Sequence, residues 1–222
     1  MQNWPSDAIL FFLAAGFLAL CYLAISGRDG VSWLKTVLKT VSVALLAVVA
    51  FQLADMLLLA VALLACATGD FFLSRHGTEN RVTGIGAFGF GHLSYAALFF
   101  LHPSADLHRI SDGWPLAAAL VLLGLIMLYL LFHKAGPLRW AALLYVPLIV
   151  MMGILSMILP PLGALALVLP AALLFIVSDF ILAQEMFVLP QGHKLRRVTP
   201  YLIWSSYFLA QTLFLLAFTA SA

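Results

Sequence analysis

The sequence predicts an all-α, polytopic transmembrane bundle of about eight helices, and three observations carry that prediction. Hydrophobic residues make up 64% of the 222 residues and charged residues only 9%, against roughly half and a quarter in soluble globular domains. Mean hydropathy is +1.11. Apolar runs of about 20 residues, long enough to cross a hydrocarbon layer about 30 Å thick, recur along the whole chain between short loop signals. At that length the chain holds at most about eight or nine spans, which predicts one integral membrane domain over 1–222 and no soluble one.

Taken in order, the first span, 7–25, follows Met1-Gln2-Asn3-Trp4-Pro5 without a basic n-region, which marks a retained span rather than a cleaved signal peptide. Ser26-Gly27-Arg28-Asp29-Gly30 closes it. The second span, 31–51, is divided from the third, 54–73, only by residues 52–55, the weakest boundary in the chain. After the 75–81 loop comes the fourth span, 82–101. It opens on Gly84-Ile85-Gly86-Ala87-Phe88-Gly89, which fits the dinucleotide-binding fingerprint letter for letter. No strand precedes it, so these glycines are expected to allow close helix packing instead. The 103–115 loop, His133-Lys134-Ala135-Gly136-Pro137, Pro160-Pro161 and the 190–200 loop then bound the fifth to eighth spans at 114–132, 138–158, 163–187 and 199–220. Cys21 and Cys66 lie within apolar runs and read as packing residues.

Ten of the eleven lysines and arginines fall in or beside the loops after spans one, three, five and seven, and Arg109 alone lies on the other side. The positive-inside rule makes those loops cytoplasmic and places both termini outside the cytoplasm, in a bacterial inner membrane or an endoplasmic reticulum. A net charge of +2 is too small to suggest a nucleic-acid partner, and the basic 193–197 loop reads as a topology and headgroup feature. Gly69-Asp70-Phe71-Phe72-Leu73 in span three is echoed by Ser178-Asp179-Phe180-Ile181-Leu182 in span seven, and Leu93-Ser94-Tyr95 in span four by Ser205-Ser206-Tyr207 in span eight. These echoes are consistent with two parallel four-helix repeats and equally with chance in biased apolar sequence.

Strongly polar residues inside the spans are few: Lys39, Asp70, His92, Tyr95, Asp179, Tyr207 and Gln211. A charge at the centre of a membrane helix costs about 2.5–3.5 kcal/mol on insertion scales, so such groups turn inward and pair. At 1.5 Å per residue, Asp70 and Asp179 lie about 24 Å below the outer edge, and Lys39, His92 and Tyr207 about 12–15 Å above the inner edge. All fall in one slab of the cytoplasmic half. Two carboxyl groups at one level suit general acid and base work, one keeping a proton while Lys39 or His92 keeps the other ionised. The bland reading is interhelical glue, worth about 0.6 kcal/mol per contact on average. Lys39 has a further bland reading, since a lysine can snorkel to the interface. Paired intramembrane acids also serve proton-coupled lipid or small-molecule transporters, the alternative function class. No Gly-x-Ser-x-Gly or His-Glu-x-x-His motif is present. His102, Asp106, His108 and Asp112 lie close together at and within the 103–115 loop and are metal-capable types. Their spacing matches no standard zinc pattern, which favours a solvated loop over a metal-dependent hydrolase.

Lys39, Gly69-Asp70, Phe88 with Gly91-His92 and Tyr95, Ser178-Asp179, and Tyr207 with Gln211 together resemble the YhhN-like lysoplasmalogenase family of eight-span membrane proteins. The resemblance covers nearly the whole chain; a proline that the family carries after the second-span lysine is Thr40 here. It implies hydrolysis of the vinyl ether of a lysophospholipid, without a cofactor or metal, to a fatty aldehyde and glycerophosphoethanolamine or glycerophosphocholine. That chemistry protonates carbon and captures an oxocarbenium ion with water, which suits Asp70 and Asp179 as acid and base. Lys39, His92, Tyr95, Tyr207 and Gln211 are then expected to bind substrate or water.

Overall fold

The computed structural model describes residues 4–28, 30–53 and 57–219, and among them every regular element is a helix. Eight long helices cross the bundle: α1 (Ser6–Ser26), α2 (Trp33–Gln52), α3 (Leu57–Leu73), α4 (Thr78–Phe100), α6 (Trp114–Lys134), α7 (Arg139–Leu155), α8 (Val168–Ala183) and α9 (Thr199–Thr219). A short α5 (His108–Asp112) folds inside the loop after α4. Seven of the eight, counting the 3₁₀ and π turns that extend α7 and α8, are long and apolar enough to span a membrane. The eighth, α3, has 17 residues, or about 25 Å of helix. The expected start of that span at residue 54 and part of its 52–55 divider lie outside the described residues, as do Asp29 and Ala220.

Local chemistry sets the ends. Ser32 caps α2, its hydroxyl accepting from Leu34 N at 3.2 Å. Pro115 sits in the first turn of α6, where its missing N–H costs nothing. Gly77 holds φ +104 ahead of α4, a conformation that side chains rarely adopt, and so lets the chain reverse after α3. At the end of α8 the chain widens into a π turn, Gln184–Val188. Arg196 fastens that turn by donating to the carbonyls of Glu185 (2.5 Å), Leu189 (2.8 Å) and Pro190 (3.0 Å), so one arginine of the basic loop is spent inward.

Exposed leucines and phenylalanines such as Leu13, Phe17, Leu122 and Leu125 lie on α1 and α6 and form the outward apolar surface that lipid covers. Polar and aromatic side chains instead point inward, where Tyr95, Phe99, Phe175 and Phe214 are fully buried. In each half, three consecutive helix pairs pack as neighbours: α1–α2–α3–α4 and α6–α7–α8–α9. The halves join where α4 packs on α7 and where α9 packs on α2 and α1. The second and fourth helices of each half thus meet the fourth and second of the other.

The glycines of the 84–89 phrase divide. A Cβ on Gly84 would lie 2.8 Å from Leu73, and one on Gly89 would lie 3.1 Å from Leu148, so both are close-packing positions; one on Gly86 meets nothing within 4 Å. Gly69 is tighter still, its Cβ position 2.4 Å from the Phe88 ring. Gly69→Val is therefore expected to lower the stability of the purified protein by about 1–3 kcal/mol through overpacking. Gly86→Ala should be neutral or gain up to about 1 kcal/mol in helix propensity. Thermal unfolding in detergent checks both, and an unchanged midpoint for Gly69→Val refutes the close approach of α3 and α4.

Candidate functional site

Helix pairing brings the polar residues into three contacts. In the first, Asp70 near the end of α3 is fully buried, with Lys39 Nζ of α2 2.9 Å from Oδ1 and the Tyr207 hydroxyl of α9 donating to Oδ2 at 2.8 Å. The Lys39 ammonium also stands 5.9 Å from the Trp204 ring centroid. Trp204 is itself held by a bond from its Nε1 to the Ala19 carbonyl at 3.0 Å. Burying an ion pair is costly, but with both partners present the charges offset one another.

The second contact centres on Asp179 of α8, which is 8% exposed. The Tyr145 hydroxyl of α7 donates to Oδ2 at 2.8 Å, and His92 Nε2 of α4 faces the same oxygen at 3.3 Å. His92 Nδ1 lies 2.8 Å from the Phe88 carbonyl. A carbonyl only accepts, so Nδ1 carries the hydrogen. Nε2 then faces Asp179 Oδ2 without a hydrogen bond to any described residue.

The third contact joins Tyr95 to Gln211, both fully buried, the Tyr95 hydroxyl donating to Oε1. It lies about one helical turn further from the basic loops than Tyr207. Among the described residues Gln211 Nε2 has no hydrogen-bond partner, and Cys66 is buried against Gly91. Phe175 links the contacts: its ring centroid is 4.4 Å from His92, 5.3 Å from Tyr207 and 6.3 Å from Tyr95.

All seven residues singled out from the sequence therefore take part in buried polar contacts. The exchange between halves could not be read there. Asp70 takes one donor from its own half, Lys39, and one from the last helix of the other half, Tyr207; Asp179 likewise takes Tyr145 from its own half and faces His92 from the other. Sequence reasoning missed Tyr145 and Phe175. Tyr145 had a signal, as the polar side chain inside an otherwise apolar α7, two residues before Pro147.

Space is distributed unequally. Asp179 lines a cleft bounded by Leu73, Phe88, Met127, Tyr145 and Phe187, with about 50 Å³ open to water, and a second, tighter one with Leu120, Gly124 and Ile176. A water needs about 10–15 Å³ measured this way, so the first cleft has room for one or more beside the carboxyl. In the opposite loop, His102 Nδ1 accepts from Ser104 N at 3.1 Å and Asp106 Oδ1 from His108 N at 3.0 Å. Partial burial holds the His102 imidazole below its ordinary range. Among the described residues no three potential metal ligands gather there or elsewhere.

Comparisons with known proteins point one way. The family whose model matches is the YhhN family, over residues 34–218, a range that takes in every residue of the three contacts. An "uncharacterized membrane protein YhhN" of Escherichia coli O6:H1 is 29% identical over 177 residues, covering 74% of this chain and 82% of the relative. Those of Escherichia coli O157:H7 and Shigella flexneri match to the same extent. No solved structure matches.

Proposed function

Because the chain belongs to the YhhN family of membrane proteins, we propose that it is a lysoplasmalogenase, hydrolysing the vinyl ether of a single-chain lipid to a fatty aldehyde and a glycerophospho-headgroup alcohol without a cofactor. The observation that carries this reading is the buried Asp179 carboxyl, bonded by Tyr145 and 3.3 Å from His92 Nε2, beside a cleft with room for water. A vinyl ether needs a proton delivered to carbon, and a buried carboxyl facing an imidazole can hold and deliver one.

That proton adds to the chain carbon β to the ether oxygen, the double-bond electrons form the new C–H bond, and the adjacent carbon becomes an oxocarbenium ion. Asp179, now ionised and steadied by Tyr145, takes a proton from water as that water's oxygen bonds to the cationic carbon. The resulting hemiacetal collapses as its C–O bond to glycerol breaks and its hydroxyl proton passes to the glycerol oxygen. Asp70, paired with Lys39, holds Tyr207 against Phe88 and Phe175 and so fixes the aromatic wall of the site. Tyr95 and Gln211 order the far side of the site.

The basic end is proposed to face the cytoplasm, so substrate enters from the inner leaflet. The test is aldehyde release from 1-alkenyl lysophosphatidylethanolamine by purified protein in detergent, with and without chelator. Chelator-insensitive release, absent with the 1-acyl counterpart, is the expected result. Passage of intact lipid across vesicles without cleavage replaces it with proton-coupled transport, and chelator-sensitive release replaces it with metal-assisted hydrolysis.

A further inference from the structure

Two large grooves open from the bundle to the lipid phase, and one of them adjoins the Asp179 site. It runs between α4 and α7, has a volume of about 550 Å³, and is lined by Val82, Gly86, Gly89, Leu93, Trp140 and Tyr145 among others. The glycines deepen it, and Gly86 is the position where a Cβ would meet nothing within 4 Å. From Val82 to Leu93 it follows α4 for about 16 Å, half of a hydrocarbon layer about 30 Å thick and so one leaflet deep. At its basic end Arg81 precedes Val82 and Arg139 precedes Trp140, both arginines exposed. A groove of one leaflet's depth, apolar along its length and flanked by two cations at its mouth, matches a lipid with one chain and a phosphate.

Tyr145 and Ile85 line both this groove and the cleft that holds Asp179, so a tyrosine ring stands between lipid and carboxyl. Pro147, two residues on, removes the helical N–H that Leu143 would otherwise accept, which gives α7 local freedom there. The other groove, about 650 Å³ between α1 and α9, ends on Trp204. That ring is 2% exposed, bonded to Ala19 and packed 4.5 Å from the Tyr22 ring centroid, so it closes the way to Asp70.

We infer that the α4–α7 groove seats the hydrocarbon chain of a single-chain phospholipid, with its phosphate between Arg81 and Arg139, and that Tyr145 is the door through which its ether linkage reaches Asp179. This rests on the proposed hydrolase reading for the chemistry, but the seat can be tested without turnover. The full-length protein in vesicles is photolabelled with a lysophosphatidylethanolamine carrying a diazirine in its chain, and labelled peptides are mapped. Gly86→Phe and Gly86→Leu fill the groove from a position with free space; Gly16→Phe fills the other groove from an equally free position.

Saturable label on α4 and α7 peptides is expected to fall about tenfold in both Gly86 variants, equivalent to about 1.4 kcal/mol of binding, and to be unchanged in Gly16→Phe. Where aldehyde release is measurable, the Gly86 variants should raise KM by a similar factor with kcat held. Tyr145→Trp should keep the groove label while losing label on the α8 peptide that contains Asp179. Equal labelling of wild type and both Gly86 variants, loss in Gly16→Phe instead, or a change in oligomeric mass on filling Gly86 each overturns the assignment, the last by making the groove a contact between copies. If wild type releases no aldehyde but the labelling pattern holds, the hydrolase reading fails and the lipid seat stands.

Discussion

Asp179→Asn is expected to lower aldehyde release by on the order of 10³-fold, within the range that a positioned general acid contributes, while leaving a folded, detergent-stable protein. Asparagine keeps the size of the side chain and can still accept from Tyr145, so the hydrogen bond of 2.8 Å has a partner. What it cannot do is take up and release a proton at the oxygen that stands 3.3 Å from His92 Nε2. His92→Gln should fall less far, because Asp179 alone can still be protonated from the water-sized cleft. Single-turnover release measured with both variants separates the two, and near-normal turnover in Asp179→Asn would remove the acid from the mechanism. Asp70→Asn is the companion: its side chain takes no part in proton transfer, so the residual rate should keep the solvent isotope effect of the wild type.

Lys39→Ala is expected to produce the largest loss of stability of any single substitution in the site. Asp70 is fully buried, and its compensating charge is the lysine ammonium 2.9 Å away. Removing one partner of a buried ion pair strands the other and costs about 3–5 kcal/mol. The Tyr207 hydroxyl, the other donor at 2.8 Å, supplies no charge. Adding Asp70→Asn to Lys39→Ala should restore most of the thermal midpoint, because the neutral amide no longer needs a cation, yet activity should stay low. A double variant no more stable than Lys39→Ala would mean that the pair is not what holds α2 to α3.

Much of this was legible in the residues. Composition and loop charge fixed a helical membrane bundle, and the expense of a carboxylate in lipid singled out Asp70 and Asp179 before any contact was known. Lys39, His92, Tyr95, Tyr207 and Gln211 were visible for the same reason. Pairing was not, because helical periodicity states depth and face but not which neighbour lies across the gap; that choice is made by α4 packing on α7 and α9 on α2. Tyr145 escaped because no other polar side chain lies within a turn of it, whereas Tyr95 stands near His92 and Tyr207 near Gln211. Only the position of Asp179 opposite turns it into a hydrogen-bond donor. Phe175 escaped because nothing in an apolar run distinguishes a ring that walls a site from one that fills a core. The short α3 and the π turn after α8 depend on tertiary packing and on Arg196, which no local pattern announces.

The exchange of donors between the two halves has a consequence for ancestry. If each half descends from one four-helix unit, that unit worked as a pair of identical chains. Each acid would already have leaned on the partner's last helix, and two equal sites would have faced each other across the axis. Joining the copies in one chain released them from identity. One acid could then acquire a lysine on the helix before it and become a permanent charge, while its twin kept a tyrosine in the corresponding place, met a histidine, and remained free to trade a proton. Asymmetry of this kind is open to a fused pair and closed to a homodimer, in which any change to one acid is made to both.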